Sequence, residues 1–96
     1  MRPSEIIDKY RNDLRTIAHR HGVTNVRVFG SVARQEDHED SDIDLLVDAG
    51  EDTSLFDLAR IRVEVRDLTG CEIDIHTSDS FHPKFHQKIA KDVTPL

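Results

Sequence analysis

Residues 28–50 read VFGSVARQEDHEDSDIDLLVDAG, and the interpretation of this stretch decides the fold. An apolar run ends in Gly30-Ser31, a dense set of acids follows, and Asp42 and Asp44 then stand in a strand-like segment, Asp-Ile-Asp-Leu-Leu-Val. Residues two apart in an extended strand point to the same face, so the two carboxylates project side by side while Ile43 and Leu45 face the other way. Neighbouring carboxylates repel, and one tends to keep its proton unless a cation lies between them. A hard divalent ion, Mg²⁺ above all, takes oxygen ligands and leaves positions for phosphate and water. Asp74 is a third acid centred in a second strand-like segment, and adjacent strands would bring all three together. Gly30-Ser31 supplies the complement, because glycine admits a phosphate close to the backbone and N–H groups at a helix start attract anions. Phosphate donors on one side and metal-holding carboxylates on the other describe a site for metal-assisted phosphoryl or nucleotidyl transfer.

Composition narrows the classes around that stretch. Ninety-six residues suit one domain, 1–96, with a small core. The net charge is −6, and 9 of the 19 acids fall between Glu36 and Asp52, which argues against general nucleic-acid binding, since that needs a basic face. The single cysteine, Cys71, asks for no oxidising compartment. The charged N-terminus holds no signal-peptide core, and no apolar run approaches a membrane span. A cytoplasmic protein without a membrane partner is expected.

Periodicity places the remaining elements. Ile6, Ile7, Tyr10, Leu14, Ile17 and Ala18 recur at helical spacing from Pro3 to about His21, with Gly22 as the stop. Val23 to Phe29 is rich in β-branched residues and predicts a strand, and residues 31–35 a short helical piece. Ile43 to Val47 predicts the second strand. Leu58, Ile61, Val65 and Leu68 form one face of a helix over 54–69 that ends at Gly70, and Cys71 to His76 alternates as a strand. A short helix over 83–92 completes the order. The expected class is α+β, with a small mixed sheet of three to four strands flanked by about four helices.

Phe29-Gly30-Ser31, ten intervening residues, Asp42-Ile43-Asp44 and a later Asp74 on a strand together resemble the polymerase-beta-type nucleotidyltransferase signature. The fuller strings GSVAR and SDIDLLV resemble the minimal nucleotidyltransferase (MNT) domain in particular, over nearly the whole chain. Gly-Ser alone carries no weight and Asp-x-Asp little; their ordered combination is specific. Gln35 is a departure, because many relatives carry glycine after the arginine.

The resemblance implies a polymerase-beta-like fold and an Mg²⁺-dependent transferase. Asp42 and Asp44 would hold metal, and Asp74 would complete the metal site or act as base. Gly30 and Ser31 would cradle the triphosphate of ATP, with Arg34 as a further phosphate contact. MNT domains are typically antitoxins that transfer AMP from ATP to a tyrosine of a HEPN ribonuclease toxin, so a cognate HEPN-type toxin is the implied partner and acceptor. The alternative is a non-catalytic antitoxin that neutralises its partner by occlusion. A transferase for a small-molecule hydroxyl is disfavoured, since there is no room for an acceptor-binding domain.

Plainer readings compete at several positions. Asp42 and Asp44 could be structural acids capped by backbone or arginine, and Arg34 could serve only as an ion-pair partner among the acids. Asp40, Asp42, Asp44 and Glu51 occupy EF-hand positions 1, 3, 5 and 12, but Leu45 stands where the loop needs glycine. His82 and His86 have i,i+4 spacing and no further ligands, which suits an exposed helix face. His76 shares a strand face with Asp74 and could line its pocket.

Overall fold

The computed structural model describes residues 2–30, 33, 42–78 and 93–96. Its first helix, α1, runs Pro3–Arg20 with Pro3 in the first turn, where a missing N–H goes unneeded. It buries Ile6, Ile7, Leu14, Ile17 and Ala18, and it bends at Tyr10, whose backbone leaves the helical region. Strand β1 is Val23–Phe29 and β2 is Ile43–Ala49. Helix α2 covers Leu55–Thr69, β3 covers Ile73–Thr77 and β4 is the short Thr94–Pro95.

The sheet order is β3-β2-β1-β4. β1 pairs antiparallel with both β2 and β4, whereas β2 and β3 run parallel, so α2 is the crossover between them. The sheet is therefore mixed, with four strands, as the α+β expectation allows. Two residues are too few for a period, which is why β4 is not legible as a strand. The short helices expected over 31–35 and 83–92 lie outside the described residues, apart from Ala33, which is in a turn.

One face of the sheet meets both helices. Val23, Val26 and Val28 of β1, Ile43, Leu45 and Val47 of β2 and Ile73 of β3 pack with Leu14 and Ile17 of α1 and with Ile61 and Val65 of α2. The alternation that buries these side chains turns Phe29, Asp44, Leu46, Asp74 and His76 to the opposite face. There Phe29 and Leu46 form a small second cluster with Val93. Burial of the helical face is the main stabilising term.

Local chemistry sets the ends of α2. The Ser54 hydroxyl accepts from the Asp57 N–H at 3.4 Å, and the Asp57 carboxylate accepts from the Ser54 N–H at 2.9 Å, a reciprocal cap. Gly70 closes the helix in the left-handed region at φ +75°, donating its N–H to the Arg66 carbonyl at 2.7 Å. Of the four residues expected on the inner face, Ile61 and Val65 are buried and Leu58 half-buried, but Leu68 is 42 % exposed. It lines a groove between α1 and α2 rather than entering the core.

The far edge is tied down as well. The Leu96 N–H donates to the Val26 carbonyl at 3.0 Å, its side chain is buried, and Arg11 and Arg15 of α1 both donate to its carbonyl oxygen.

Asp48 links β2 to β1. It accepts from Asn25 Nδ2 at 3.0 Å and from Arg27 Nη2 at 2.6 Å. Hydrogen bonds from Asn25 and from the Ser78 side chain hold its carboxyl below the usual range against an opposing effect of burial, with the Arg27 charge and hydrogen bond as lesser contributions. A depressed folded-state pKa contributes stability above the unfolded value of about 3.9, and that contribution is lost as pH falls through the folded value. Asp48→Asn is therefore expected to be less stable than the wild type at pH 7, with the difference shrinking below about pH 4. Urea melts of both proteins from pH 7 to pH 3 check this; a difference independent of pH would contradict it.

Candidate active site

Asp44 and Asp74 meet because β2 and β3 are adjacent and in register. The parallel ladder pairs Ile43 with Ile73, Asp44 with Asp74 and Leu45 with Ile75. Paired residues on neighbouring strands share a face and lie about 4.8 Å apart across the ladder. The two acids thus stand side by side, both half-buried, on the face away from the helices. The Ile43 N–H donates to the Glu72 carbonyl at 3.1 Å, which anchors the register at the entry of both strands. Asp42 lies immediately before β2 and is exposed.

Asp42 and Asp74 line one open cleft of about 750 Å³ between α2 and β3, together with His76 and with Leu55, Arg62 and Val63 of α2. Asp44 is not part of that lining. It stands one strand further in, paired with Phe29 of β1 on its other side. The Phe29 ring packs against the His76 imidazole with centroids 5.4 Å apart and planes tilted by 60°.

Gly30 follows β1 in the left-handed region, at φ +74°. A Cβ at this position would come 2.6 Å from Asp44 Oδ2. Two constraints thus select glycine here: the backbone conformation and the carboxylate that approaches it. Gly30 and the second acid of the Asp-x-Asp pair are thus in direct spatial apposition. Ser31 and Arg34, the other expected nucleotide contacts, lie outside the described residues.

The donor set is one of hard oxygens. Among the described residues, no three carboxylate, imidazole or thiol groups are gathered closely enough to hold an ion as they stand. The acids nevertheless fit a divalent cation by chemistry and placement: two are paired across the ladder, a third shares the cleft, and a glycine leaves space beside them. Cys71 adds no soft ligand. Burial raises its thiol pKa, and the Asp42 and Glu72 charges raise it further, so the sulfur keeps its proton at neutral pH.

Across the cleft, Glu72 receives Arg62 and Arg66, each at 3.6 Å. These contacts are longer than hydrogen bonds and partly exposed, so they are weak. Sequence inspection missed this trio. Its signal is the i,i+4 spacing of Arg62 and Arg66 on the exposed side of α2.

The nucleotidyltransferase domain family profile matches residues 7–96. The chain belongs to this family. It is a nucleotidyltransferase enzyme of mixed α+β fold. A candidate protein adenylyltransferase of Methanocaldococcus jannaschii, MJ0435, is 40 % identical over 90 residues, covering 94 % of this chain and 97 % of the relative. A solved structure of a candidate minimal nucleotidyltransferase is 38 % identical, with a TM-score of 0.87 and coverage of 97 % of this nucleotidyltransferase and 95 % of that chain. A tri-AMPylated Shewanella oneidensis HEPN toxin in complex with MNT antitoxin gives a TM-score of 0.69 at 13 % identity, covering 92 % of this chain and 69 % of that one, a likeness of fold alone.

Gly30→Ala tests the apposition with Asp44. Placing a side chain in the left-handed region is expected to cost about 1–3 kcal/mol of folding stability. The Cβ would also displace the Asp44 carboxylate, so stabilisation by ATP with Mg²⁺ should fall with it. Thermal melts with and without nucleotide measure both; an Ala variant with wild-type melting and wild-type nucleotide response would refute the assignment.

Proposed function

We propose that this nucleotidyltransferase is a minimal nucleotidyltransferase, a single domain over residues 1–96, that transfers AMP from ATP to a tyrosine hydroxyl of a cognate HEPN-type toxin and so acts as its antitoxin. The observation that carries the reading is the in-register pairing of Asp44 with Asp74 beside Gly30. The family match and the candidate protein adenylyltransferase among its relatives support it. The toxin partner is suggested by the shared fold of an MNT antitoxin found with a tri-AMPylated HEPN toxin.

In this reading Asp42 and Asp44 hold Mg²⁺, and Asp74 completes the metal site or acts as base. When bound, the ion neutralises triphosphate charge and polarises the phosphoryl group. Gly30 lets a phosphate approach the backbone, Ser31 donates a hydrogen bond to it, and Arg34 adds positive charge. The acceptor oxygen forms a bond to the α-phosphorus, the bond to the bridging oxygen breaks, and pyrophosphate leaves. The hydroxyl proton passes to the Asp74 carboxylate where that residue serves as base. No helix of the described residues is long and apolar enough to cross a membrane. The proposed location is the cytoplasm, where ATP is at hand.

Intact-mass measurement of a HEPN-type candidate partner, after incubation with the enzyme, ATP and Mg²⁺, tests the proposal. One or more added adenylyl masses, lost with Asp44→Asn, are the expected result. A partner that stays unmodified while still bound and silenced would replace catalysis with occlusion. In parallel, ATP with Mg²⁺ at 100 times its Kd should stabilise the wild type by about 2.7 kcal/mol. Substituting both Asp42 and Asp44 with Asn should abolish that increment.

A further inference from the structure

The outer face of the sheet carries an aromatic contact that neither the core nor the proposed chemistry accounts for. Two rows of side chains cross three strands there. Phe29, Asp44 and Asp74 make the first row, and Arg27, Leu46 and His76 the second. β1 and β3 share no ladder, because β2 lies between them. Yet the Phe29 ring of β1 and the His76 imidazole of β3 pack with centroids 5.4 Å apart. Two ladder spacings put their backbones roughly 10 Å apart. The rings therefore lean toward each other across β2, between Asp44 and Leu46.

This bridge meets the candidate site at both ends. Phe29 is the ladder partner of Asp44 and the residue before Gly30. His76 lies two residues beyond Asp74 on the same strand face, and it lines the cleft together with Asp42 and Asp74. The Phe29 ring is buried with Leu46 and packs against Val93 as well, so it is held from more than one side. Tilted aromatic pairs at this separation are favourable beyond the area they bury. The bridge also sets apolar surface beside Asp44, which lowers the local dielectric and strengthens the attraction of a carboxylate for a cation. Histidine suits the place, because its body packs on a ring while its polar edge fronts a wet cleft.

We infer that His76 is a positioning residue for nucleotidyl transfer: through the Phe29 ring it holds Asp44 and Gly30 in place against Asp74. The inference rests on the metal and nucleotide assignment proposed above and adds to it a residue that works by packing, with no proton to give or take. The parallel ladder fixes where the backbones of the two acids stand. Gly30 and the Phe29 ring limit where the Asp44 carboxylate turns, and His76 limits where the Phe29 ring goes.

Calorimetric titration with ATP, once with Mg²⁺ and once in EDTA, separates the metal-dependent part of binding from the rest. For His76→Ala the gain in ATP affinity on adding Mg²⁺ is expected to fall about 10–100-fold, the usual loss when a residue supporting metal ligands is removed. Affinity in EDTA should stay at the wild-type value. His76→Phe keeps a ring and removes both nitrogens, and it should restore the gain. Phe29→Leu removes the other ring and carries the same expectation as His76→Ala without touching β3, so if one variant fails to melt cooperatively the other decides. The double variant should be no weaker than either single one, since both break one contact. A wild-type gain in folded His76→Ala or Phe29→Leu overturns the inference and leaves the assignment of the acids standing. Failure of His76→Phe to restore the gain also overturns it, because the imidazole nitrogens would then touch nucleotide or metal. Equal losses with and without Mg²⁺ overturn it too, as the mark of a general loosening of the fold. A wild type that binds ATP no better with Mg²⁺ overturns the metal assignment itself, and the inference with it.

Discussion

Two carboxylates held side by side across a parallel strand pair are the constraint on which the rest of the molecule depends. Asp44 and Asp74 would each be better solvated apart, yet the β2–β3 register fixes them together. The same register inserts Ile43, Leu45 and Ile73 into the core, so the apolar face opposes any separation of the acids. A parallel pair also demands a crossover, and α2 provides it, packing Ile61 and Val65 against the sheet. Core and site are two faces of one ladder.

Gly30 extends this coupling to β1. Phe29 pairs with Asp44, and the turn that follows brings glycine where any side chain would strike the carboxylate. Gly30 and the two paired acids are therefore brought together by three neighbouring strands. Asp48 fastens β1 to β2 at the opposite end through Asn25 and Arg27.

Much of this was legible because it rests on local patterns. The β-branched run Val23–Phe29 is a strand with the expected bounds, and Gly70 stops α2 where a left-handed cap is needed. Gly30, Asp42, Asp44 and Asp74 stand out as candidates from order and spacing, and the adjacency of Asp44 and Asp74 follows from the β2–β3 pairing. What was not legible depends on tertiary placement. Cys71 and Glu72 precede β3 instead of opening it. Leu68 continues a helical period but faces a groove, and Leu55 and Phe56 resemble core residues until the helix is set against the sheet. The two-residue β4 has no sequence period, and the i,i+4 spacing of Arg62 and Arg66 does not by itself name Glu72 as their partner. Ser31 and Arg34 lie outside the described residues.

The parallel pairing has a consequence in time as well as in space. Asp44 and Asp74 are separated in the chain by a whole helix, and contacts of that kind carry a loop-closure cost before they return any stabilisation. The β1–β2 pair closes over fewer residues than the β2–β3 pair, which has to span α2. On that ground the pairing of the two acids is expected to form later than the β1–β2 pair. A chain still emerging or partly folded would hold Gly30 beside Asp44 without Asp74, and the candidate site would be incomplete until β3 is seated.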